Sequence, residues 1–175
     1  MKAIWILLLG LLLAGCSASG DHLFPPRPDL ARLDSIALTP VTFSTHQALS
    51  NERDAIQTQL AGALADRLQA LGYTVVPAQG SGKAAARLDV DITYIWDERL
   101  YADEDRPLAR LYPDLRLYAN VTLTDLKSGA VLLHEEALGE GPIEPVWSHA
   151  PDARYTAPQR ALAERISRLF PTRPR

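Results

Sequence analysis

Cysteine is almost missing from this chain: among 175 residues there is one, Cys16. No internal disulfide can form, so the fold must be held by its core, and no thiol cluster exists for a structural zinc. An excess of basic charge is missing too. Eighteen Lys and Arg stand against 21 Asp and Glu, a formal net charge of -3, so the basic face that nucleic acid requires is not expected. Long apolar runs are scarce. Ala3 to Leu13 is the one substantial run, and it is shorter than the roughly 20 residues of a spanning helix. The histidines, His22, His46, His134 and His149, show no His-Glu-x-x-His spacing. His134-Glu135-Glu136 falls in an expected strand, whose alternation separates His134 from Glu135, so no metal is expected. Gly80-Ser81-Gly82-Lys83 fails as a phosphate loop. Pro77 stands where the first Gly belongs, and Ala84 replaces the magnesium-binding Ser or Thr. Asp103-Glu104-Asp105 lacks the glycine and closing Glu of an EF-hand. There is no Gly-x-Ser-x-Gly elbow. No cofactor and no catalytic residue are expected, and the chain is expected not to be an enzyme.

What is present is concentrated at the start. Met1-Lys2 precedes the apolar run, which ends in Leu13-Ala14-Gly15-Cys16. A positive start, a short apolar stretch and small residues before a cut site make a secretory signal. Leu-Ala-Gly-Cys resembles the lipobox of bacterial lipoproteins. That resemblance implies a diacylglyceryl group on the Cys16 thiol, cleavage before Cys16, and acylation of the new amine. Residues 1–15 are then the signal, and loss of Lys2 takes the formal charge from -3 to -4. Acyl chains hold a protein to a membrane at about 0.8 kcal/mol per buried CH₂, and stable anchoring takes two or more signals. Residues 16–33 read as a lipidated tether. Ser17-Ala18-Ser19-Gly20 is flexible, and Phe24-Pro25-Pro26-Arg27-Pro28 is extended. Many Gram-negative lipoproteins kept in the inner membrane carry Asp after the acylated Cys. Here Ser17 takes that place, which implies the periplasmic face of the outer membrane, with the inner membrane as the alternative.

Residues 34–170 read as one domain and 171–175 as a tail. Ser35 to Thr42 alternates around Ile36, Leu38 and Val41, with Pro40 near a strand end. Asn51 to Leu71 is a helix: Ile56, Leu60, Leu64, Leu68 and Leu71 form one stripe, Ser50 or Asn51 caps the start, and Gly72 ends it. Tyr73 to Val76 is a short strand. Arg87 to Asp97 is a long one, with Leu88, Val90, Ile92, Tyr94 and Trp96 on the core side and Ile95 out of pattern. Its other face carries Asp89 and Asp91. Asp114 to Asp125 alternates with Leu115, Leu117, Ala119, Val121 and Leu123 inward. Asp125-Leu126-Lys127-Ser128-Gly129 is a turn, and Ala130 to Leu138 returns. Gly139 to Tyr155 reads as irregular and holds Trp147. Thr156-Ala157-Pro158-Gln159 has capping-box spacing before a last helix reaching Phe170. A wet face on the long strands implies one helical layer. The expected fold is a two-layer α+β domain with a mostly antiparallel sheet and two helices on one face.

The lipobox, Leu71-Gly72-Tyr73 and the Asp125-to-Gly129 hairpin together resemble small Gram-negative envelope lipoproteins. That class includes auxiliary lipoproteins of ABC-type transporters and curli-secretion-like lipoproteins. The resemblance implies a non-enzymatic accessory or assembly role through an envelope partner. A lipid- or small-ligand-binding role, in an apolar groove between helices and sheet, is the alternative, and an envelope hydrolase a distant third. Glu98 to Pro113 is the expected docking arm. It is far longer than a usual hairpin loop, with apolar shoulders at Leu100, Tyr101, Leu108, Leu111 and Tyr112.

Overall fold

The structure is a computed structural model and describes residues 27–46, 50–77, 84–97, 114–143 and 156–173. Strands β1 (Ser35–Leu38) and β2 (Thr42–Phe43) are followed by helix α1 (Ser50–Ala70) and strand β3 (Thr74–Pro77). Three long strands come next: β4 (Ala86–Asp97), β5 (Asp114–Asp125) and β6 (Val131–Pro142). Helix α2 (Thr156–Ser167) closes the order. The strands form one six-stranded sheet in the order β3-β1-β4-β5-β6, with β2 also on β4. The long strands pair antiparallel, β4 with β5 and β5 with β6. The short strands pair parallel: β1 with β3 and β4, and β2 with β4. The fold is therefore α+β with an open mixed sheet, antiparallel where the long strands lie.

Ile56, Leu60, Leu64 and Leu68 of α1 are buried, as their spacing implies, with Leu162 and Ile166 of α2 beside them. They close on Ile36, Leu88, Leu117, Val121 and Leu123 of the sheet. The space between helices and sheet, where the alternative ligand-binding reading places an apolar groove, is occupied by these side chains. Gly72 ends α1 with φ +94°, its N–H donating to the Gln69 carbonyl and the Tyr73 N–H to the Leu68 carbonyl. This is a Schellman closure, which needs a left-handed residue.

The folded body begins before residue 34. Pro28–Arg32 forms a 3-10 turn, and Leu30 and Leu33 enter the core. At the other end, the Arg173 N–H donates to the Leu71 carbonyl, and its guanidinium pairs with Asp34 and lies 5.7 Å over the Tyr73 ring. The Tyr73 hydroxyl, 3.0 Å from the Pro171 carbonyl, completes the clasp, and burial pushes its ionisation above the ordinary value.

Two strands depart from expectation. In β4 the register to β5 shifts between Ile92 and Tyr94. Thr93 is the extra residue, its hydroxyl turned onto the Tyr118 carbonyl at 3.3 Å. An extra residue swaps the faces beyond it. Ile95 and Asp97 therefore point inward and are buried, while Tyr94 is 37% exposed and Trp96 half-buried. In β6 the strand runs on to Pro142, through Gly139 and Gly141. A Cβ on Gly139 would stand 2.4 Å from the Pro158 carbonyl oxygen and from Leu162 Cβ. These glycines are bare because α2 lies directly on them.

A candidate binding surface on the open face of the sheet

The helices cover one face of the sheet, and the other carries alternating side chains in cross-strand rows. Adjacent strands lie about 4.8 Å apart, and residues two apart on one strand about 6.6 Å. Register places Asp91, Asn120 and Glu136 in one row. Tyr94, Tyr118 and Leu138 form the next, followed by Trp96, Arg116 and Glu140. The bulge at Thr93 is what brings Tyr94 into this series. Without it Tyr94 would point into the core, and Ile95 would stand outside.

Tyr94 and Tyr118 lean together, ring centroids 5.6 Å apart. Leu138, 40% exposed, continues the apolar row onto β6. A cleft of about 650 Å³ opens here, lined among others by Tyr94, Tyr118, Leu138, Asn120, Glu136 and Arg165. Arg165 comes from α2, which packs on the other face, and the core residues Ala119 and Ala137 contribute too, whereas Asp91 lies beside the cleft and not in its lining.

The electrostatics of the rows differ. Arg116 Nε donates to Glu140 Oε1 at 2.7 Å, and this bond raises the guanidinium pKa above its usual value. That row is internally neutral. Farther from the cleft, Arg87 pairs with Asp89 at 2.8 Å, and Thr122 meets His134 Nδ1 at 3.0 Å. The middle row is acidic. Asp91 accepts the Thr42 hydroxyl at 2.8 Å and the Ser44 hydroxyl on its other oxygen, and Glu136 has no ion-pair partner among the described residues. Asp89 likewise accepts the Thr39 hydroxyl at 2.9 Å. The two aspartates thus tie residues 39–44 to β4, a role that strand alternation alone does not reveal.

Of the residues singled out from sequence, Cys16, Leu100, Tyr101, Leu108, Leu111 and Tyr112 lie outside the described residues. So do Gly80-Ser81-Gly82-Lys83, Asp103-Glu104-Asp105 and Trp147. The ends that bracket the long link are described: Asp97 pairs with Leu115, and Asp114 with Pro142. Tyr94 and Trp96, assigned to the core by simple alternation, belong to the open face. The capping box is not made. Gln159 is 1% exposed, and neither end of its amide has a hydrogen-bond partner among the described residues. Among those residues no group of three or more His, Cys, Asp or Glu is placed to hold a metal ion. No described helix is long and apolar enough to cross a membrane.

No family model matches the chain, and no curated protein resembles it significantly in sequence. Solved structures do share the fold. A PelC dodecamer from Paraburkholderia phytofirmans is 18% identical, with 81% of this chain and 92% of that one covered and a TM-score of 0.52. Protein XCC0632 from Xanthomonas campestris is 10% identical, with 82% and 88% covered and a TM-score of 0.50. The lipoprotein GNA1162 from Neisseria meningitidis is 16% identical, with 65% and 87% covered and a TM-score of 0.44. Further proteins named as lipoproteins, from Caulobacter crescentus and Acinetobacter baumannii, also resemble it. At such identities the likeness to the PelC and XCC0632 structures is one of fold alone.

Proposed function

We propose that the chain is a lipid-anchored envelope lipoprotein of a Gram-negative bacterium. Its α+β domain acts without catalysis, by holding an envelope partner. The observation that carries this reading is Leu13-Ala14-Gly15-Cys16 closing a short apolar run. It is joined to a folded body that includes Arg27, whose N–H donates to the Leu169 carbonyl and whose guanidinium binds Glu135. The sequence between supplies a tether, and Ser17 favours the periplasmic face of the outer membrane. The names of several fold relatives agree with an envelope lipoprotein. For the partner-binding role, the supporting feature is the open sheet face with its exposed aromatic row.

A second reading, small-ligand binding, is favoured by the cleft itself, whose volume of about 650 Å³ falls in the usual range for ligand pockets. Its lining is mostly on the open face of the sheet, joined by Arg165 of α2.

The test uses the full chain expressed in a Gram-negative host with labelled palmitate. The wild type should label and sediment with the outer membrane, and Cys16→Ser should remain an unlabelled precursor. A Cys16→Ser chain that still labels and is still cut after Gly15 refutes the anchor. Chemical cross-linking in the same cells should join the wild type to one predominant envelope protein.

A further inference from the structure

We propose that the cleft on the open sheet face docks an extended, basic segment of a partner protein. A Lys or Arg would sit between Asp91 and Glu136, and an apolar residue two positions along would lie on Tyr94, Tyr118 and Leu138. This rests on the partner-binding reading above and names the chemistry of the partner.

Spacing is the first argument. The acidic row and the aromatic row are successive on one face, so they lie about 6.6 Å apart along the strands, the repeat of alternate side chains in any extended chain. A segment of the pattern basic-x-apolar, running along the strands, meets both rows in register. Charge is the second. Asp91 and Glu136 flank Asn120 on neighbouring strands, about 10 Å from each other. The Thr42 and Ser44 hydroxyls take only part of the acceptor capacity of Asp91. Glu136 has no ion pair among the described residues. Arg116 is committed to Glu140, and Arg165 at the rim already has a partner of its own. Among the described residues, the unmet charge here is negative, with Glu136 in the lining of the cleft and Asp91 beside it. The tilted tyrosine faces add to the same preference, because a cation over an aromatic face is attracted by the ring quadrupole.

The same charge disfavours other occupants. A second copy laid face to face would bring carboxylates together across the interface, since Asp91 and Glu136 both belong to this surface. Anionic lipid headgroups would be repelled.

The test uses the full acylated chain in detergent micelles and fluorescence anisotropy of labelled heptapeptides. The probe is Lys-Thr-Leu-Thr-Lys-Thr-Leu. One control carries Glu for Lys, the other Ser for Leu. The probe should bind saturably, and both controls at least tenfold more weakly. Glu136→Lys and Tyr94→Ser change exposed groups, and each should weaken the probe at least tenfold while leaving the melting temperature within a few degrees. Asp66→Lys, on the exposed face of α1, makes the same charge change elsewhere and should leave binding unchanged. No saturable binding, binding undiminished by Glu136→Lys, or an equal loss in Asp66→Lys each overturns the proposal. A metabolite or lipid released from the purified chain and competing with the probe overturns it in favour of a small ligand. Palmitate labelling is read on the same preparations. A labelled chain that ignores the probe defeats this proposal alone, and an unlabelled chain defeats the lipoprotein reading alone.

Discussion

Asp125 shows how one side chain sets a turn. Its Oδ1 accepts the N–H groups of Lys127 at 2.9 Å and Ser128 at 2.8 Å, and the Ser128 hydroxyl at 3.0 Å, while Gly129 takes φ +73°. The bonds from Ser128 are the main cause that holds its carboxyl below the ordinary value of 3.8. A depressed folded pKa gives stability that is present above the unfolded value and lost as pH falls through the folded one. The acid limb of wild-type stability should therefore steepen below pH 3.8. In Asp125→Asn, which keeps the acceptor oxygen but cannot titrate, that limb should be flatter in denaturant melts between neutral pH and acid. Identical limbs would show that the turn does not couple to protonation. Gln159 is the opposite case, a polar group whose amide is buried without partners. Leaving such a group unmet costs about 1–3 kcal/mol. Gln159→Leu should raise stability by a comparable amount in urea titration, and a loss would mean the amide is satisfied in solution.

At the scale of the element, helix stripes and strand alternation were legible because each has a single period. Leu115 to Leu123 in β5 and Ile56 to Leu68 in α1 fall where their spacing puts them. Leu64, fully buried, should cost about 2–5 kcal/mol on truncation to Ala. A melt of the full chain in micelles checks this. The misplaced elements are those where one residue breaks the period. Ile95 was the visible signal of the bulge. If one extra residue is inserted before it, the inward series continues from Ile92 to Ile95 and Asp97, and Tyr94 turns outward. Gly139 and Gly141 misled for another reason. In sequence, glycine marks a turn, but here it marks a strand under a helix that leaves no room for Cβ. Gly139→Ala must push α2 off β6, because the nearest obstacles include the Pro158 backbone. It should destabilise by about 3 kcal/mol, the upper part of the usual overpacking range. A melting temperature equal to wild type would show that α2 does not rest on β6. The capping box failed as a prediction because Gln159 is drawn into the interior instead of reaching back to the helix start.

For the whole molecule, the termini and the sheet have different jobs. Both ends of the described residues are fastened on the helix side: Arg27 to Leu169 and Glu135, and Arg173 to Leu71, Asp34 and Tyr73. The opposite face carries the aromatic and acidic rows, and neither described helix packs on it. Such a division suits a domain that hangs from a membrane by one end and presents a surface to a partner. The proposed anchor rests on a local motif, since a lipoprotein peptidase would read Leu-Ala-Gly-Cys as a linear string. The sequence did not make the surface legible, because that face is assembled from three strands and depends on a bulge. The most direct measurement is the intact mass of the mature chain, extracted from membranes with detergent, followed by fragmentation of its N-terminus. The account requires a chain that begins at Cys16, lacks residues 1–15, and carries diacylglyceryl and amide-linked acyl mass on that residue. A mature chain with an unmodified N-terminus, or one that retains residues 1–15, contradicts it.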